Sequence, residues 1–156
     1  MKFYQILISL GMILLIGVLA ITHQYIGFGF NTSESLKHHV FFLQKNKLPS
    51  QDDFVVFKKE TENILPDDTR FIKQVAGVAG DTITHRNGKV LINNHELGEI
   101  KQRTKTGKLL WPGYTGKIPE GFYFVYTPHP RSFDSRYSQM GLIHESEIIA
   151  RAYPVF

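Results

Sequence analysis

The hydrophobic pattern of this chain changes character once. From Phe3 to Ser33 there is no Asp, Glu, Lys or Arg, and Phe3 to Ile21 is almost wholly apolar. A helix of about 20 residues crosses a hydrocarbon layer about 30 Å thick, so this stretch predicts one membrane-spanning helix. Beyond it the apolar residues come in short runs rich in Val, Ile, Phe and Tyr, separated by turn signals, a pattern that fits strands better than helices. The predicted strands are Phe54 to Phe57, Phe71 to Val75, Thr82 to Thr84, Val90 to Ile92, Phe122 to Tyr126 and Ile148 to Ala150. Asn87-Gly88, between Arg86 and Lys89, supplies the positive φ angles of a tight hairpin.

These patterns divide the chain into a membrane anchor with an interfacial segment, residues 1–30, and one mainly β domain, residues 31–156. A cleaved secretory signal is the competing reading of the first part, since Lys2 is basic and Val18-Leu19-Ala20 loosely resembles a cleavage site. Signal cores run to about 7–15 apolar residues, and this one is longer, which favours a retained anchor. Lys2 ahead of the helix favours a cytoplasmic N-terminus. Tyr25 to Phe30 reads either as an aromatic interfacial stretch or as more helix. About 125 residues remain, enough for one compact domain whose sheets bury a common core. Glu99 to Gly116 is polar, basic and glycine-punctuated, and is expected to be a surface excursion.

Charge and composition narrow the function. The net charge is +4, but basic residues are interspersed with Asp and Glu, which describes a solvated surface and no nucleic-acid footprint. There are no cysteines, so disulfides and thiolate metal sites are excluded. Seven histidines include the adjacent pair His38-His39, yet no His-x-x-x-His or His-Glu-x-x-His spacing occurs. Neither a metal nor another cofactor is expected.

Candidate chemistry lies in three places. If residues 33–35 are extended, Ser33 and Ser35 project to one side and Glu34 to the other. One hydroxyl could then attack a carbonyl while its neighbour holds the oxyanion; a turn capped by Asn31-Thr32-Ser33 is the ordinary alternative. In the strand Phe71 to Val75, Lys73 shares an apolar face with Phe71 and Val75. Lowering its pKa from near 10.4 to about 7 takes ~4–5 kcal/mol of destabilisation of the charged form, which desolvation supplies. A neutral amine there could serve as a general base; an edge-strand lysine that blocks aggregation is the alternative. In Arg131 to Tyr137, alternation would bring Ser132, Asp134 and Arg136 together, with the last two paired; a surface turn with an incidental ion pair is the alternative. Gly77-Val78-Ala79-Gly80-Asp81 is a turn whose glycines allow backbone geometry other residues resist, and it lacks the pattern of a phosphate loop.

Three blocks in order, Ser33-Glu34-Ser35-Leu36, Phe71 to Asp81 and Ser132-Phe133-Asp134-Ser135-Arg136-Tyr137, resemble the signature of type I signal peptidases, and most closely the TraF-type peptidases of conjugative transfer. The resemblance implies an antiparallel β-sheet catalytic core with one N-terminal transmembrane helix. It implies Ser35 as nucleophile, Lys73 as general base, Ser33 with the Ser35 amide as oxyanion hole, Ser132 orienting Lys73, and Asp134 and Arg136 bracing the site. It also implies a bacterial cytoplasmic membrane location with the active face outside, and exported precursors, including pilins, as substrates. Hydrolysis and joining of pilin ends both stay open. Lys37 stands where the family usually has proline, and Thr127-Pro128-His129-Pro130 replaces the Gly-Asp-Asn stretch of housekeeping signal peptidases. The rival functions are a metal hydrolase, a Ser-His-acid triad enzyme, and a non-catalytic membrane-anchored β domain acting as a pilus-assembly or secretion scaffold.

Overall fold

A computed structural model describes residues 2–33, 35–61, 64–66 and 68–155. The apolar N-terminal stretch is one helix, α1 (Lys2–Tyr25), long and apolar enough to cross a membrane and with no buried side chain among its described residues. At about 1.5 Å per residue it reaches some 35 Å.

Every strand pairing after the helix is antiparallel. Strands β1 (Ile26–Phe30), β2 (Val40–Lys45), β3 (Phe54–Lys58), β4 (Arg70–Gly77), β9 (Phe122–Tyr126), β10 (Ile143–His144) and β11 (Ile148–Pro154) form a seven-stranded sheet in the order β1-β2-β11-β3-β4-β9-β10. A smaller sheet, β7-β6-β5-β8, contains β5 (Thr82–Arg86), β6 (Lys89–Ile92), β7 (His95–Glu99) and β8 (Gly116–Lys117). The Asn87-Gly88 hairpin joins β5 to β6, with positive φ at both residues.

Each predicted strand is present, and β4 and β11 run further than their apolar runs suggest. Strands β1, β2 and β7 and the two-residue strands β8 and β10 were not predicted. Gly27, Gly29, Glu96 and Gly98 dilute the apolar content of β1 and β7, where cross-strand partners supply what local propensity does not, whereas Val40 to Leu43 of β2 is an apolar run of the same kind as the predicted strands. The Tyr25 to Phe30 stretch is therefore a strand in its last five residues, not more helix. It is an edge strand with Phe28 and Phe30 exposed.

The large sheet is covered on both faces. Val55, Phe57, Phe71, Val75 and Val125 pack with Met140 and Ile143 on one side, where Phe57 and Phe71 stack at 5.3 Å. Leu36, Phe41, Val56 and Ala152 pack together in a separate cluster. Phe124 and Tyr126 of β9 point instead into the small sheet, against Ile83, Val90, Ile92 and Ile118. Gly77 sits at the junction, and a Cβ there would lie 2.8 Å from Ile118 Cδ1 and 2.9 Å from Ile92 Cδ1. Its requirement is space; within the Gly77 to Asp81 turn the positive φ belongs to Gly80. Asp81 closes that turn by accepting from Val78 N and Asn93 Nδ2, a structural use of the acid.

The Glu99 to Gly116 excursion is more than surface. Its short hairpin is bridged at Arg103 and Leu109, and Pro112 bridges to Tyr137. Gly113 N donates to Arg136 O at 2.8 Å, and a Cβ on Gly113 would strike the Ser135 carbonyl. Leu110 is buried. The excursion forms a wall beside the 131–137 turn because its backbone bonds to that turn.

Candidate active site

Strand β4 carries Lys73 into the interior. Its residues alternate between exposed or half-buried and buried positions, so Phe71, Lys73, Val75 and Gly77 form one buried face. Opposite Lys73 across the sheet lies Val55. The Lys73 side chain is 6 % exposed, and burial among these apolar neighbours pulls its pKa down to about 8. Asp134 opposes that shift and Arg136 reinforces it. The edge-strand alternative does not apply, because β4 lies inside the sheet between β3 and β9.

One hydroxyl meets this amine. Lys73 Nζ donates to Ser132 Oγ at 2.7 Å, across 59 residues of sequence. Ser132 is fixed at two further points: its N donates to His129 O at 3.0 Å, and its O accepts from Arg136 Nη2 at 3.0 Å. One N–H of the amine is thereby committed to a fixed oxygen, which leaves its other valences for further partners.

Behind Ser132 stands the Asp134–Arg136 pair. Arg136 Nε and Nη2 donate to the two Asp134 oxygens at 2.8 and 2.9 Å, and the side chains are 0 % and 1 % exposed. Arg136 also donates to Glu99 O and His129 O and stacks over the Tyr126 ring at 4.9 Å. The grouping expected here is present but the strand-like backbone is not: residues 131–136 are irregular or in turns, and Ser135 turns inward to accept from Val125 N. Asp134 and Arg136 meet because the turn wraps the guanidinium in carbonyls and a carboxylate. Removing one partner of such a buried pair would leave an uncompensated charge.

Ser33 and Ser35 lie between β1 and β2, in a bend and not the extended run expected from alternation; Glu34 is outside the described residues. Their hydroxyls are nevertheless 2.7 Å apart. The neck of this loop is closed by Asn31 N donating to His39 O at 2.8 Å, and Leu36 anchors it in the core. Asn31 fills it: Nδ2 donates to Ser33 O at 3.0 Å and His38 O at 3.2 Å, while Oδ1 accepts from Ser33 N at 3.1 Å and Ser33 Oγ at 2.7 Å. Two carbonyl acceptors and one backbone donor leave no choice of amide orientation. A hydroxyl has a single hydrogen, so Ser33, having given its own to Asn31, accepts from Ser35.

Asn31 caps the turn that the sequence offered at residues 31–33, and what the sequence did not single out is its second bond, to the Ser33 hydroxyl. The signal was present, since Asn two positions before Ser33 is the pattern of a side-chain-closed turn. Turn and hydroxyl pair, taken as alternatives in the sequence, coexist here.

Ser33, Ser35, Lys73 and Ser132 line one pocket of about 340 Å³, together with Phe71, Arg131 and Phe133. A hydroxyl pair, a desolvated amine and a fixed hydrogen-bond acceptor for it thus share one opening. Such a set can deprotonate an alcohol and stabilise an oxyanion.

The family model described as "Signal peptidase, peptidase S26" matches residues 1–156. Signal peptidase I of Bacillus amyloliquefaciens is 30% identical over 112 residues, covering 67% of this chain and 55% of that protein. Signal peptidase I U of Bacillus subtilis (strain 168) is 34% identical over 93 residues, covering 55% of this chain and 49% of that one. The chain spans about half the length of the curated relatives it matches. A crystal structure of a signal peptidase I from Enterococcus faecalis V583 aligns with TM-score 0.42 and 23% identity, covering 67% of this chain and 97% of that chain.

Proposed function

The chain belongs to the signal peptidase, peptidase S26, family, and from that premise we propose that it is a membrane-anchored serine endopeptidase that removes leader peptides from exported precursors. The observation that carries the reading is the Lys73 amine, buried, lowered to about 8 and sharing a pocket with Ser35.

Ser35 is the nucleophile and Lys73 its base. At pH 7 a group of pKa about 8 is neutral in about one molecule in ten, against fewer than one in a thousand for an ordinary lysine. Neutral Lys73, held by Ser132, takes the Ser35 proton as Oγ attacks the scissile carbonyl. The oxyanion accepts from the Ser35 amide and from Ser33, whose hydrogen swings from Asn31 Oδ1 to the new oxygen. Lys73 then returns its proton to the leaving amine, leaving an acyl-enzyme. A water, deprotonated by the same amine, releases the leader. Asp134 and Arg136 act at one remove, by holding Ser132 through its carbonyl.

Helix α1 anchors the protein in the bacterial cytoplasmic membrane with the sheets on its outer face. Exposed Phe28 and Phe30, on the strand leaving the helix, sit at headgroup depth, where aromatic rings are favoured. This supports reading residues 1–30 as anchor and interface, even though β1 pairs with the sheet. The Ser132 to Tyr137 block and the Thr127 to Pro130 stretch support the TraF-type branch, hence pilin maturation in conjugative transfer or type IV secretion.

The test compares precursor processing in membranes containing wild type, Ser35→Ala or Lys73→Ala. Both variants should accumulate and cleave nothing; undiminished processing by either removes that residue from the mechanism. Mass spectrometry of a co-expressed pilin precursor would report the cleavage position and whether the ends are joined.

A further inference from the structure

A second cavity, about 800 Å³, adjoins the serine–lysine pocket, and the two share Leu65, Arg131, Ser132 and Phe133. The two openings are therefore neighbours across the 131–133 wall, and a peptide lying over Ser35 enters the larger space by crossing that shared rim. That space carries Lys101, Arg103 and Arg131, and none of the described residues lining it is acidic. Its floor includes the buried side chains of Leu110 and Tyr137.

The basic wall is built, not draped. Thr104 N donates to Lys108 O, Gly107 N to Thr104 O and Leu110 N to Gln102 O, closing the hairpin on itself. Gln139 pins it to the body through Leu109 O and Trp111 N. Arg103 is held by Gly107 O at 2.8 Å, and Lys101 pairs with Glu99 at 2.9 Å. Arg131 differs from both. Its backbone N donates to His129, but its guanidinium makes no hydrogen bond or ion pair among the described residues, although it is exposed beside buried Ser132. A guanidinium on the rim shared by the two cavities, with its donors free, suits a carboxylate.

Resting on the endopeptidase reading above, we propose that this trough is a substrate subsite that receives an acidic segment flanking the scissile bond, with Arg131 as its specificity-determining residue. Adjacency to the Ser35 pocket favours a peptide occupant over anionic lipid headgroups. Attraction of this kind acts over roughly one Debye length, about 8–10 Å at moderate salt, so it discriminates residues close to the cleavage point.

The test uses full-length Ser35→Ala protein in neutral detergent, which binds without turning over. Three labelled peptides spanning one cleavage site are compared by fluorescence anisotropy: one neutral, one with three Asp on the N-terminal flank, one with three Asp on the C-terminal flank. One of the acidic peptides should bind about fivefold tighter than the neutral one, on the scale of an exposed ion pair. The advantage should vanish in 0.5 M salt and in Arg131→Gln, and reverse in Arg131→Glu. Equal binding of all three peptides, or an advantage that survives Arg131→Gln, overturns the proposal. So does a loss of binding to anionic vesicles in Arg131→Glu with no change in peptide discrimination. Cleavage of the neutral peptide by wild type is followed in parallel; its failure counts against the endopeptidase reading, whereas anisotropy alone judges the subsite.

Discussion

Arg136 holds Ser132 by the backbone while Ser132 holds Lys73 by the side chain. Arg136 Nη2 donates to Ser132 O at 3.0 Å, and the Ser132 hydroxyl accepts from Lys73 Nζ at 2.7 Å. A buried guanidinium thereby sets the position of a desolvated amine that it also repels.

The proposed base makes cleavage pH-dependent in a definite direction. Only neutral Lys73 can accept the Ser35 proton, so kcat/KM should rise about tenfold per pH unit below its pKa of about 8 and level off above it. Steady-state kinetics on a fluorogenic precursor peptide between pH 6 and 9.5 would show the limb. A flat profile across pH 7 to 9 would sink the assignment.

Burying that amine destabilises the fold at neutral pH. The folded pKa lies near 8 and the unfolded value near 10.5, so the unfolded chain binds more protons between them. The cost, about 3 kcal/mol, is complete below pH 8 and fades as pH rises toward 10.5. Lys73→Met should therefore be inactive yet more stable than wild type at pH 7, by about 2 kcal/mol after loss of the Ser132 bond, with the gain disappearing near pH 10.5. Thermal unfolding in detergent at the two pH values measures the difference, and an identical gain at both would refute the linkage.

Arg136→Lys should not be conservative. A lysine cannot reproduce the two-pronged bond to Asp134 and also reach Ser132 O. The expected result is a loss of about 2–4 kcal/mol in stability and a fall in kcat with KM little changed, since the effect passes through the base and not through substrate contact. A KM effect alone would place Arg136 in binding instead.

Asn31 and Ser33 should behave as one unit. Ser33→Ala removes the proposed oxyanion donor and should lower kcat by about 10²–10³. Asn31→Ala frees the Ser33 hydroxyl and loosens its loop, so it should alter kcat in the wild type and much less when Ser33 is already Ala. A double-mutant cycle reads this as non-additivity. Full additivity would reduce Asn31 to a loop brace.

Much of this was legible from one strand's alternation. Phe71, Lys73 and Val75 at every second position put an amine on an apolar face whatever that face packs against, because side chains alternate in any strand. The helix was equally local, a matter of length and uninterrupted apolar character. Less legible were β1 and β7, whose polar or glycine residues are carried by neighbours, and the burial of Asp134 and Arg136, which look like surface residues in sequence.

What the chain determined by itself was therefore periodic: one apolar helix, a series of short strands, a hairpin at Asn87-Gly88 and a lysine facing inward. Tertiary structure alone decided which groups meet. Lys73 reaches Ser132 over 59 residues, and Arg136 reaches Glu99 O over 37. Such pairings depend on sheet order and on two turns folding back, whereas local pattern specifies only the direction in which a side chain leaves the backbone.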